Sequence, residues 1–157
     1  MDQHTVRRAD AADVAAVERV VAASFGHYVE RIGRPPAPMT HDYRALVDTA
    51  RVWVVETPAG IGAVLVTVEH PDHVLLDTVA VAPDAQGSGF GALLLARAED
   101  DARELGVPEV RLYTNLAMTE NQTFYPRHGY TESGRGHEDG YDRVFYVKRV
   151  DGSATAR

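Results

Sequence analysis

Apolar residues recur along this chain in two rhythms, and each predicts different elements. Val14, Val17, Val20 and Val21 are spaced by three and four residues, which predicts a helix running to about Phe25 with one buried face. Asp10 supplies N-cap chemistry ahead of it, and Thr5-Val6-Arg7-Arg8 reads as a short extended start. The rhythm then breaks. Arg31 to Pro38 contains Pro35, Pro36 and Pro38, which lack N–H donors and fix the backbone, so no regular element is expected there. Thr40 is placed to cap a short second helix carrying Tyr43, Leu46 and Val47.

From Arg51 the pattern becomes strand-like. Val52 to Glu56 and Ile61 to Glu69 flank Pro58-Ala59-Gly60 and predict a hairpin. Pro71-Asp72 turns into Val74–Val81, an apolar run expected as a central strand. Beyond a glycine-rich turn, Leu94, Ala98, Ala102 and Leu105 mark a strongly periodic helix, closed by Gly106 and barred from continuing by Pro108. Val110 to Thr114 predicts another strand. Thr119 to Gln122 fits a capping box for a short helix ending before Gly129, and Tyr141 to Val147 a last strand. Residues 1–150 thus read as a single α/β domain, and 151–157 as a frayed tail.

Composition narrows the chemistry. The 157 residues include no cysteine, which excludes disulfides, thiolate metal sites and cysteine nucleophiles. The formal net charge of −7 disfavours a general nucleic-acid binder, since phosphate backbones need a basic face. No apolar run approaches the ~20 residues of a membrane span, and Met1–Asp10 is too polar for a signal peptide, so the cytosol is the expected compartment. Lys148 is the single lysine.

The most informative segment is Gln86-Gly87-Ser88-Gly89-Phe90-Gly91, between an apolar strand and a strong helix. Glycines let successive N–H groups converge with no Cβ in the way, and the helix N-terminus adds partial positive charge at the same point. A plain strand-to-helix turn would also use glycine. A Walker loop is ruled out because Phe90-Gly91-Ala92 supplies neither lysine nor hydroxyl, and a Rossmann fingerprint because the glycine spacing is wrong and the next strand ends in Asn115.

The segment resembles motif A of the GNAT-type N-acetyltransferase superfamily, [Q/R]-x-x-G-x-[G/A], with Gln86, Gly89 and Gly91 at its defined positions. Val79-Ala80-Val81-Ala82-Pro83 is similar to that family's strand end, and Asn121 to Tyr130 to its helix ending in Y-x-x-x-G-[F/Y]. The order of elements from Thr5 to Val147 matches as well. The resemblance implies a mixed, largely antiparallel sheet flanked by helices, with a splay between the strands at Val74–Val81 and Val110–Thr114 that takes acetyl-CoA. It implies that backbone groups at Val79, Ala80 and Val81 pair with the pantetheine arm, that the backbone N–H groups of Gly87, Ser88, Gly89, Phe90 and Gly91 hold the pyrophosphate, and that Gln86 opens the turn. Asn121 falls at a cofactor-contacting position and Tyr125 at that of the general acid. The acceptor pocket is expected from the first two helices and their connection, here Phe25, Tyr28, Arg31, Arg34, Met39, Asp42 and Tyr43. A homodimer is common in the family.

The residues themselves leave alternatives open. Tyr125 reads equally as a core aromatic beside Phe124. Asp77 lies two and four residues before Val79 and Val81, so simple alternation puts the three on one face, where Asp77 is either a base or a structural acid. Asn115 is placed to position a water, and His128 is a base candidate because imidazole is the side chain suited to proton transfer near neutral pH. Arg31 and Arg34 suit an acidic acceptor, whereas the net charge suits a cationic one. His70 and His73 span a turn without a third ligand nearby, so no metal site is expected. Glu99, Asp100, Asp101 and Glu104 read as a solvated helix face. The expected activity is acetyl transfer to a primary amine of a small molecule, amino acid or peptide, by direct attack in a ternary complex. A non-catalytic acyl-CoA sensor is the alternative.

Overall fold

The computed structural model describes residues 3–150, so the expected tail at 151–157 lies outside the described residues. The elements are β1 (Thr5–Arg8), α1 (Val14–Phe25), α2 (Tyr28–Ile32), α3 (Tyr43–Thr49), β2 (Arg51–Thr57), β3 (Gly60–Glu69), β4 (Val74–Val81), α4 (Phe90–Leu105), β5 (Glu109–Asn115), α5 (Asn121–Arg127), β6 (Thr131–Glu138) and β7 (Tyr141–Arg149). They form a seven-stranded sheet in the order β1-β2-β3-β4-β5-β7-β6. Every neighbouring pair is antiparallel except β4 and β5. This is the mixed, mostly antiparallel α/β architecture expected.

Each sheet face carries its own core. On one, Leu94, Leu95, Ala98 and Ala102 of α4 pack over Val55, Leu65, Leu76, Val110 and Leu112. On the other, Val14, Val17, Val20 and Val21 of α1 join Tyr43 over Val52, Val54, Val64 and Val66. The 3.6-residue stripe of each helix meets the two-residue alternation of the strands beneath it.

Several local expectations are corrected. Asp10 caps a 3₁₀ turn at Ala11–Asp13 that leads into α1, in a reciprocal box in which each carboxylate accepts an N–H near the other. Arg31 and Ile32 lie in α2, and Ala37–Thr40 forms a 3₁₀ turn, since proline is tolerated in the first positions of a short helix. Asp42, not Thr40, caps α3 by accepting from Ala45 N at 3.2 Å. The Thr40 hydroxyl instead donates to Ala37 O. Glu120 is the N-cap of α5 and has no side-chain cap bond, so the Thr119–Gln122 box does not form; Gln122 Nε2 donates to Leu116 O.

Strand β6 was not anticipated. It is an edge strand with no buried residue, so no apolar alternation announces it. Asp101 departs from the solvated-face expectation. It is fully buried beneath α4, where its carboxylate accepts from Thr67 Oγ1 at 2.7 Å and Trp53 Nε1 at 3.0 Å, beside Arg51 and Arg97.

Candidate active site

Strands β4 and β5 pair only at Val74↔Val110 and Leu75↔Arg111. Beyond that they part, and a cleft of about 660 Å³ opens with Leu76–Val81 on one wall and Tyr113–Asn115 on the other. Its size is that of a small-molecule site. On its other edge β5 pairs with β7 along its whole length, from Glu109↔Arg149 to Asn115↔Arg143.

One end of the cleft is the Gln86–Gly91 turn. Gly87 and Gly89 have φ of +87° and +82°, a backbone that other residues rarely adopt. A Cβ at either would meet nothing within 4 Å, so the surface they present is open. The first bond into α4 runs from Leu93 N to Gly89 O at 3.1 Å, which leaves the N–H groups of Phe90, Gly91 and Ala92 without an intrahelical acceptor. Positively polarised donors beside an open glycine surface fit a pyrophosphate. At Gly91 the need is different: a Cβ there would stand 3.2 Å from Phe124 Cζ, so glycine permits α5 to approach α4.

Gln86, Gly87, Gly89, Phe90 and Gly91 all line this cleft, as do Val79, Val81 and Asn121. Gln86 Nε2 reaches Val81 O at 3.5 Å, and Asn121 Nδ2 reaches Met118 Sδ at 3.5 Å. The Ala80 side chain is buried in the α1 core and the Ser88 residue borders a separate small hollow beside the β2–β3 turn, so at these two positions only backbone is placed to serve the cleft.

The middle of the cleft holds the titratable groups. Val66 pairs with Thr78 and Thr67 with Leu76, which makes Asp77 the extra residue of a β-bulge. The bulge corrects the expected alternation. Val79 and Val81 pack toward α4, whereas Asp77 reaches to the other side and meets His41, with Asp77 Oδ2 2.7 Å from His41 Nε2. The hydrogen bond that His41 donates to Asp77 raises the His41 pKa above 6.5, against partial burial that lowers it. His41 lines the cleft and is a functional candidate that sequence reasoning missed; a lone histidine after a proline-rich stretch carries no local signal.

Tyr125 also lines the cleft, its ring packed against Phe124, Tyr130 and Tyr146. Burial pushes its phenol well above 10. Its hydroxyl has no hydrogen-bond partner among the described residues. Asn115 lines the cleft with Oδ1 held by Ala117 N at 2.9 Å, and His128 lines it with its ring against Phe124.

The acceptor residues separate. Phe25 and Tyr28 line the cleft. Arg31 does not; it is paired with Glu120 at 2.8 Å and donates to Ala117 O, tying α2 to the approach of α5. Through that bond the Glu120 carboxyl is held down to about 2. Arg34 stacks over Tyr141 at 4.1 Å and points to the Asp139 and Gly140 carbonyls. Tyr43 is buried with its hydroxyl donated to Pro38 O at 2.6 Å; Met39 packs beside the α1 core and Asp42 is spent as the α3 cap. In their place stand Tyr113 and Arg143, which line the cleft from β5 and β7. The signal for Arg143 was an arginine between Tyr141 and Phe145 on one face of a strand. His70 and His73 stack on each other at 4.5 Å away from this cleft.

The chain matches the acetyltransferase (GNAT) domain over residues 48–132, more than half its length. It belongs to the GNAT acetyltransferase family. A curated relative, the aminoalkylphosphonate N-acetyltransferase of Salmonella typhimurium, is 36% identical over 58 residues, which cover 37% of this chain and 38% of that protein. The fold is shared with the PaiA N-acetyltransferase of Thermoplasma acidophilum in complex with coenzyme A (TM-score 0.78, 15% identity, 94% of this chain and 99% of that one). It is shared too with the ribosomal-protein-S18-alanine N-acetyltransferase of Escherichia coli (TM-score 0.74, 18% identity, 95% of each chain). Among the described residues of this GNAT chain, no helix is long and apolar enough to cross a membrane.

Proposed function

We propose that this chain transfers an acetyl group from acetyl-CoA to a primary amine by direct attack within a ternary complex. The observation that carries the reading is the His41–Asp77 pair at 2.7 Å, set in the same cleft as the open Gly87–Gly91 turn and Tyr125. Acetyl-CoA supplies an activated thioester. The turn's N–H groups hold its pyrophosphate, and the free edges of β4 and β5 beyond their short ladder take the pantetheine arm.

The bond formed is N–C and the bond broken is C–S. With Nε2–H donated to Asp77, His41 keeps a lone pair on Nδ1, the atom that takes the proton from the attacking amine. Asp77 fixes that tautomer and stabilises the imidazolium that results. The departing sulfur gains a proton. Tyr125, whose phenol is protonated at neutral pH, is the donor for it. With no cysteine in the chain, no enzyme thioester forms. The Salmonella relative is named as an N-acetyltransferase, which favours nitrogen as the acceptor atom. A module that only senses acyl-CoA needs no imidazole paired with a carboxylate in its cleft.

Calorimetric titration with acetyl-CoA and CoA, followed by free-thiol release across an amine panel, tests the reading. Micromolar binding with thiol release is the expected result. Binding without turnover of any amine would leave the sensor reading in its place.

A further inference from the structure

We infer that Arg143 anchors an acidic group on the acceptor, so that the substrate is an amine carrying a carboxylate or phosphonate; this rests on the acetyl-transfer reading of the cleft. Arg143 lies on β7 opposite Asn115 in the β5 ladder and is only 7% exposed, yet it lines the cleft. Its guanidinium sits over the Tyr113 ring at 4.1 Å, with the Tyr141 ring 5.7 Å away, and these contacts set its plane. Nη1 meets Glu138, the exposed last residue of β6, at 2.7 Å and Asp139 of the β6–β7 turn at 3.7 Å. Among the described residues, Nε and Nη2 have no hydrogen-bond partner.

A guanidinium carries donors in a rigid fork, and the unpaired Nε and Nη2 of Arg143 stay accessible at the cleft that Arg143 lines. The Nε–Nη2 edge matches two oxygens of a carboxylate or phosphonate, the geometry in which arginine binds acids most strongly. The other arginines near the acceptor end are engaged elsewhere, Arg31 with Glu120 and Arg34 with Tyr141 and the turn carbonyls. Tyr113 stands between two poles. Burial raises its phenol, the Asp77 charge adds to that rise and the Arg143 charge opposes it. An acceptor spanning this ring places its amine toward Asp77 and His41 and its acid on Arg143.

Two readouts test this. The first compares kcat/KM for ω-amino carboxylates and ω-aminoalkylphosphonates, with one to four methylenes, against alkylamines of matching length. The acid-bearing amines are expected to be better by about tenfold or more. Arg143→Gln should raise their KM roughly 10- to 100-fold with kcat and the alkylamine KM nearly unchanged, and Arg143→Lys should fall between, retaining the charge but not the fork. The faster series tells carboxylate from phosphonate. The second follows methylphosphonate by phosphorus NMR with the CoA-loaded protein, where a saturable shift should vanish in the Arg143→Gln form at unchanged CoA affinity and melting temperature. Alkylamines that match the acid-bearing amines, or a methylphosphonate titration unaltered by either substitution, would overturn the assignment. Failure to bind CoA, or to acetylate any amine, would count against the enzyme reading instead, and the methylphosphonate titration, run in the first case on the CoA-free protein, still decides the role of Arg143.

Discussion

His41 Nε2 and Asp77 Oδ2 stand 2.7 Å apart, joining the segment ahead of α3 to the bulge in β4. Because the hydrogen bond donated to Asp77 raises the His41 pKa above 6.5, a reaction that needs neutral His41 should quicken as pH rises through a value above 6.5. Asp77→Asn should move that limb toward or below 6.5, and His41→Ala should remove it and slow turnover by about 10²-fold. The same pair bears on stability with the opposite sense. A raised folded-state pKa means its contribution is fully present below pH 6.5 and is lost as pH climbs through the raised value. A pH–rate profile and melting curves from pH 5 to 9 check both, and an acidic limb unmoved by Asp77→Asn would remove the pair from the mechanism.

Gly89 is the N-cap of α4 at φ +82°, with open space where a Cβ would stand. Replacing it with alanine costs about 1 kcal/mol of backbone strain. Gly89→Glu adds a carboxylate beside the N–H groups that are proposed to take the pyrophosphate. The expected outcome is a Kd for CoA raised by two orders of magnitude or more, by roughly the several kcal/mol of like-charge and desolvation terms. Gly89→Ala, which adds strain without charge, should weaken binding far less. Equal CoA affinity in the two variants would show that the turn does not hold the phosphates.

Elements with a strong apolar rhythm are legible in the chain, and the site is legible where backbone makes it. The α4 stripe of Leu94, Ala98 and Ala102 and the open turn at Gln86–Gly91 follow from local chemistry. Side chains brought together from distant segments do not. His41 and Asp77 are 36 residues apart and meet only because a bulge turns Asp77 off its alternation. Arg143 reaches the cleft through the register of β7 on β5, and Asp101 is inward because Trp53 and Thr67 supply donors from other strands. No window of neighbouring residues contains these facts.

Asp101 makes a stability prediction independent of catalysis. Fully buried, it accepts from Thr67 and Trp53 and lies against Arg51 and Arg97, which α4 and the β2–β3 pair present from different directions. Asp101→Ala strands the Thr67 and Trp53 donors and leaves Arg51 and Arg97 with Glu104 as their remaining partner. A loss of about 3–5 kcal/mol in urea unfolding is expected. Asp100→Ala, one position along on the exposed side of the helix, should change stability by less than about 0.5 kcal/mol.

Tyr125 tests the protonation of the leaving sulfur. Its ring fills a cluster with Phe124, Tyr130 and Tyr146, so Tyr125→Phe preserves the packing and removes only the hydroxyl. That hydroxyl has no hydrogen-bond partner among the described residues, so stability should change little. Because burial keeps the phenol protonated far above neutral pH, it donates across the whole working range and adds no limb of its own to the pH profile. The variant should bind CoA as before and lose roughly 10²-fold in kcat. The loss should shrink when the leaving thiol is made more acidic, since a better leaving group needs less help. Thiol release from a donor series of graded thiol pKa measures this, and an equal loss for every donor would assign Tyr125 to packing alone.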